Sequence, residues 1–162
     1  MGRGLLILAF ISLSLLAQAA DCFIGKWKLD PEKCYVDSSY VPPWPKFHAD
    51  LKLKQGSATF RREGKNSYTF EISAEFNDGR WQMAGPVTFD HAYKGVWGGK
   101  NAVFASKPVS DHGFKILIAN EQTLTVTEVL LFNVSTDDAT LVLTDFTGDA
   151  KKPLLTMVFN KR

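Results

Sequence analysis

Cysteine is nearly absent from this chain: Cys22 and Cys34 are the two it has among 162 residues. A framework of several disulfides is therefore excluded, and stability must come from a packed core. Charge of one sign is lacking too. Nineteen Lys and Arg meet seventeen Asp and Glu, and without Arg3 the balance is eighteen to seventeen. That excludes the basic stripe of a nucleic-acid binder, so no nucleic-acid partner is expected. His48, His91 and His112 lie far apart, with no His-x-x-x-His spacing, and no metal or cofactor is expected. Catalytic motifs are missing as well. There is no G-x-S-x-G, and in Asp90-His91 and Asp111-His112 neighbouring strand residues would point to opposite faces. No enzyme is expected. The longest apolar run, Leu5 to Leu16, is about a dozen residues where a membrane span needs roughly 20. No stable membrane insertion is expected. Nor is there an amphipathic helix of three turns, and Pro42, Pro43 and Pro45 bar one from Val41 to Lys46.

That apolar run has a different use. Met1-Gly2-Arg3-Gly4 is a short positive start, and Ala17-Gln18-Ala19 follows the run as a small-x-small cleavage pattern. Residues 1–20 read as a signal peptide and residues 21–162 as one secreted domain, large enough for a real core. An oxidising compartment would favour pairing Cys22 with Cys34. Reach limits that bridge. An extended Cys22 to Leu29 runs roughly 23 Å, and the return to Cys34 recovers at most about 17 Å, leaving about 6 Å for the disulfide. A sharp turn at Asp30-Pro31 with an extended return is required. A helical turn there forbids the bridge, unless the strand starts later than Cys22. Asn133-Val134-Ser135 is a glycosylation sequon, usable if exposed.

What the chain has in abundance is alternation. In "YTFEISAEF", Tyr68, Phe70, Ile72, Ala74 and Phe76 face one way and Thr69, Glu71, Ser73 and Glu75 the other. Asp78-Gly79 then predicts a tight hairpin with positive φ at both central residues, and Trp81 and Met83 resume the apolar face. In "CFIGKWKLD", Phe23, Gly25, Trp27 and Leu29 share one face, while Ile24, Lys26 and Lys28 share the other. Gly85-Pro86, Gly98-Gly99, Asn120-Glu121 and "TGDAKK" separate further short runs. The sum is nine or ten strands at near-regular spacing. The expected fold is all-β, an antiparallel up-and-down meander barrel of 8–10 strands without a long C-terminal helix. Such a barrel can enclose one small ligand.

Gly25-Lys26-Trp27 on the first strand resembles the G-x-W signature of the calycins, the superfamily of lipocalins and fatty-acid-binding proteins. "FIGKWKLD" and the final "LLTMVFNK" resemble the first and last strands of a fatty-acid-binding protein. The resemblance implies that Trp27 closes the barrel base and that Gly25 leaves room beside it. It also implies an inward arginine and tyrosine on the last strand to hold a carboxylate. Here Met157 and Phe159 stand in those places, so the charged clamp is missing and a neutral apolar ligand is the better match. "CYVDSSYVPPWPKF" replaces the family's helical lid with prolines and aromatics, and Thr144-Asp145-Phe146 faintly echoes a second lipocalin motif.

Two readings of function remain open on this sequence. In one, the protein is a secreted, monomeric carrier of a small hydrophobic molecule such as a lipid, fatty acid or retinoid. Its cavity would be lined by Phe70, Ile72, Phe76, Trp81, Met83, Phe89, Phe104, Ile116, Ile118, Met157 and Phe159. These side chains would equally fill a closed core. In the other, it is a secreted protein-binding module, with Tyr35, Tyr40, Trp44 and Phe47 as the surface for a protein receptor. Glu128 breaks an apolar face made with Leu124, Val126, Leu130 and Phe132. If that face is interior, a buried carboxyl could meet a ligand hydroxyl or amine. A bulge, or an inward opposite face (Thr125, Thr127, Val129), would instead put it outside.

Overall fold

The computed structural model describes residues 21–42, 50–64, 67–147 and 151–162. The leader reading of 1–20, and Trp44 and Phe47, lie outside the described residues. Eleven strands follow in chain order: β1 (Gly25–Leu29), β2 (Tyr35–Val36), β3 (Leu53–Arg62), β4 (Ser67–Phe76), β5 (Arg80–Thr88), β6 (Ala92–Trp97), β7 (Lys100–Ser110), β8 (Gly113–Asn120), β9 (Val126–Val134), β10 (Thr140–Thr147) and β11 (Leu155–Lys161). They form one antiparallel sheet in the order β5-β4-β3-β1-β11-β10-β9-β8-β7-β6, with the two-residue β2 beside β11. First and last strands meet, Trp27 opposite Lys161 and Leu29 opposite Phe159, so the meander curls into a barrel. It is nearly closed. β5 and β6, the two ends of the order, share no ladder, and near them only a parallel bridge joins Phe89 to Ser106.

The alternation lands where the period of two requires. On β4, Tyr68, Phe70, Ile72, Ala74 and Phe76 are buried, and on β5 so are Trp81 and Met83. At one end of the interior five phenylalanines interlock. Phe114 stacks on Phe132 at 4.6 Å, Phe23 meets Phe114 edge-on at 4.8 Å, and Phe60 lies 5.9 Å from Phe70. Trp27 is 1% exposed, its indole N–H donates to the Phe23 carbonyl at 2.9 Å, and the Lys161 ammonium lies 5.1 Å from its ring centre. Gly25 is needed for its backbone rather than for room. Its φ is +135°, while a Cβ there would meet only Lys161 Cε at 3.7 Å.

Three expectations about local geometry are corrected. Cys22 and Cys34 are not bonded to each other. The return is a 3₁₀ turn over Pro31–Lys33, and although the strand begins only at Gly25, which shortens the outward run, the two thiols engage different partners. Cys34 Sγ instead accepts the Val158 N–H at 3.3 Å and donates to the Asp30 carbonyl at 3.1 Å. The Cys22 thiol lies 4.0 Å from the Asp111 carbonyl, and burial pushes its pKa up to about 11. Asp78-Gly79 does not make a two-residue turn. Glu75 pairs with Arg80, the Phe76 N–H donates to the Gly79 carbonyl at 2.8 Å, and neither Asp78 nor Gly79 has positive φ. The tight turn occurs at Gly98-Gly99 instead, with φ of 56° and 76° between paired Trp97 and Lys100. Last, Tyr40 is not a surface contact: it is 6% exposed, inside the barrel end.

Candidate functional site

A bulge decides where Glu128 points. Ile118 pairs with Glu128 but Ala119 pairs with Val126, so Thr127 is the extra residue of β9, and its hydroxyl donates to the Ile118 carbonyl at 3.2 Å. N-terminal to the bulge the face turns outward: Leu124 and Val126 are 68% and 40% exposed, which corrects the expectation that they share the Glu128 face. C-terminal to it, Glu128 stays in phase with Leu130 and Phe132, both fully buried. β10 supplies a second carboxyl by the same alternation. Leu141, Leu143 and Asp145 point inward, and Asp145 is 2% exposed. Asp145 pairs with Leu130, one inward step from Glu128.

Aromatic groups close around this pair. The Trp97 indole N–H of β6 donates to Glu128 Oε2. Trp81 of β5 packs edge-on to Trp97 with ring centres 6.0 Å apart. Tyr93 stacks on Phe104 at 5.0 Å, and Phe104 meets Trp97 at 6.4 Å. Tyr40 arrives from the segment after β2, where its N–H donates to the Asp37 carbonyl at 3.0 Å. Burial, then the Glu128 charge and a hydrogen bond to Glu128, push Asp145 up to about 9. Burial also raises Glu128, against the hydrogen bonds from Asp145 and Trp97 that favour its ionised form. Burial and mutual repulsion therefore favour one proton shared by the pair. Burial, then both carboxyls, raise the Tyr40 phenol. Among the described residues no Lys, Arg or His acts on either carboxyl. Tyr40 Oη, Trp81 Nε1 and Asp145 Oδ2 are buried without a hydrogen-bond partner. The Trp81 N–H lies beside Tyr40 Oη without closing a bond.

Of the side chains singled out from the sequence, Phe70, Ile72, Phe76, Trp81, Met83, Phe104, Ile116, Ile118, Met157 and Phe159 are all buried in the interior. Phe89 is half-buried where β5 passes to β6, and it borders an apolar cavity of about 10 Å³ among Phe23, Phe60, Tyr68, Val87 and Phe114. A much larger depression, about 740 Å³, is open and polar and lies outside the barrel beside Lys28, Lys54, Glu75 and Arg80. Asn133 is half-buried near the end of β9, and the Ser135 hydroxyl of the sequon accepts the Thr140 N–H and donates to Asp137. Asp145, Tyr93 and Trp97 were not anticipated as site residues. The signal for Asp145 was present: it continues the Leu141, Leu143 face.

No protein-family profile and no curated protein sequence matches the chain. Solved structures do. A Schistosoma mansoni fatty acid binding protein in complex with arachidonic acid superposes with TM-score 0.54 at 15% identity, covering 89% of this chain and 98% of that one. As-p18, an extracellular fatty acid binding protein, gives 0.59 at 11%, covering 89% and 99%. The fluorescent protein UnaG gives 0.64 at 11%, covering 88% and 98%. The fold is that of the fatty-acid-binding proteins and related calycin barrels. Within this barrel, Met157 and Phe159 lie on the last strand, and both are fully buried. Among the described residues no α-helix separates β1 from β3.

Proposed function

We propose that the protein is a secreted carrier that holds a small apolar molecule inside the barrel. The observation that carries this reading is the character of the interior. It is apolar apart from Ser106 and one cluster, and that cluster keeps hydrogen-bonding groups facing inward that lack a partner. Asp145 Oδ2, Tyr40 Oη and Trp81 Nε1 are buried short of full hydrogen bonding, and a buried polar atom left unpaired costs about 1–3 kcal/mol. A bound molecule that supplies the partners removes that cost. The leader-like start and the likeness to an extracellular fatty acid binding protein support secretion. The names of two of the structural neighbours support a lipid-sized cargo. Met157 and Phe159 argue against a fatty-acid carboxylate as its head.

Native mass spectrometry of the protein secreted from eukaryotic cells, with solvent extraction, tests the reading. A mature chain beginning at residue 20 or 21 and leaving with a discrete apolar molecule is expected. An empty protein that also fails to bind any apolar fluorophore overturns it.

A further inference from the structure

We propose that the cluster of Glu128, Asp145, Tyr40, Trp81 and Trp97 is a recognition site for the protonated amine of the carried molecule. The proposal rests on the carrier reading and names the head group that the carrier selects.

Four features point to an ammonium rather than to another head group. First, two carboxyls from adjacent strands meet inside the barrel, and among the described residues no basic side chain acts on them. A buried negative charge without a counter-charge is costly, and a cationic ligand would supply one. Second, the cluster presents unfilled positions rather than a finished network. Trp81, Asp145 and Tyr40 are 0%, 2% and 6% exposed, and each carries a polar atom with no partner. Asp145 Oδ2 and Tyr40 Oη can both accept, and an ammonium brings three donors. The Tyr40 hydroxyl can also take the neighbouring Trp81 N–H. Third, the walls are aromatic. Trp81 and Trp97 stand edge-on at 6.0 Å with Phe104 behind Trp97, and ring faces attract a desolvated cation. Fourth, the competing head groups fit worse. A carboxylate would add a second negative charge beside Glu128. An alcohol would fill hydrogen bonds but leave the charge unpaired.

The barrel also offers a route to this cluster. Trp81 lies on β5 and Trp97 on β6, the two strands that share no ladder. Side-chain packing alone closes the seam at that level, so the site can be reached by moving side chains without breaking sheet hydrogen bonds.

Displacement of Nile red, an uncharged apolar fluorophore, by dodecylamine, dodecanol and dodecanoic acid at neutral pH tests the proposal. Dodecylamine should bind tighter than dodecanol by about ten-fold or more, with dodecanoate weakest, as expected for hydrogen bonds to a charged group. Glu128→Gln should remove most of the preference for dodecylamine over dodecanol. Dodecanol matching dodecylamine on the wild-type protein, or dodecanoate binding tightest, overturns the amine head group and leaves the carrier reading standing. If Glu128→Gln does not fold, the wild-type ratio alone decides. If Nile red does not bind and none of the three shifts the melting temperature, both readings fall together.

Discussion

Glu128 and Asp145 show how one residue in a period of two can carry more information than the apolar residues around it. Leu or Val at these positions would only have extended the core. A carboxyl there forces a proton, a partner or a ligand. The proton has a measurable consequence. Asp145 has a folded pKa near 9 against roughly 3.9 in an unfolded chain. Below about pH 4 both states hold the proton and folding is not penalised. As pH rises the unfolded chain releases its proton while the folded protein keeps it, so stability falls until the folded group ionises near 9, at a slope of at most about 1.4 kcal/mol per pH unit. Glu128, also raised by burial, adds in the same direction. Asp30, Asp37, Glu121 and Asp137 are shifted down, so their contributions change only in acid. Urea midpoints at pH 5, 7 and 9 should therefore decline for wild type and flatten for Asp145→Asn. A wild-type profile as flat as the variant's would place the proton elsewhere. Glu128 is legible from its face, whereas Asp145 is obscured because Thr144-Asp145-Phe146 fits a motif as well as it fits alternation. Tyr40 could not be assigned from sequence, because a loop aromatic looks the same whether it faces solvent or its own barrel.

At the level of the element, faces were legible and turns were not. Every inward residue of β4 follows from spacing alone, because side-chain direction is fixed by the pleat. The connection after Phe76 instead depends on register, and Asp-Gly only permits a two-residue turn without requiring one. The bulge at Thr127 leaves no trace in composition, yet it sends Val126 outward and keeps Glu128 inside. Chain reach does not decide the Cys22–Cys34 bridge, because the strand starts only at Gly25; the two thiols face different neighbours, Cys22 toward Asp111 and Cys34 toward Asp30 and Val158. Gly25 offers a direct test of backbone against space. Since room exists at its Cβ but φ is +135°, Gly25→Ala should destabilise by about 1–3 kcal/mol through backbone strain alone. Chemical denaturation reads the change, and a neutral result would mean that the strand relaxes to negative φ at no cost.

At the scale of the whole molecule, the meander and its closure followed from strand spacing and from the wish of a long sheet to hide its edges. The seam between β5 and β6 did not, because nothing in the residues at 85–95 distinguishes a missing ladder from a present one. Setting aside the two-residue β2, the connection that crosses it, residues 89–91, is the place among the described residues where successive strands are not paired sheet neighbours, while β1 and β11 are paired although they lie at opposite ends of the chain. The Arg162 N–H already donates to the Lys26 carbonyl at 2.9 Å, and Asp21 is at most about 18 Å of chain from Lys26. A linker of about eight residues can therefore join the two termini. A permuted chain starting at Tyr93 and ending at Thr88 should fold to the same barrel, with a far-ultraviolet spectrum and melting transition close to those of the natural order; an unfolded permutant would show that the 89–91 crossing is needed to build the barrel. In that rewired chain every long strand would follow its sheet neighbour from one edge to the other. The natural protein is thus a strip of ten long strands that begins and ends in the middle of its own length, where β1 and β11 find each other by hydrogen bonds.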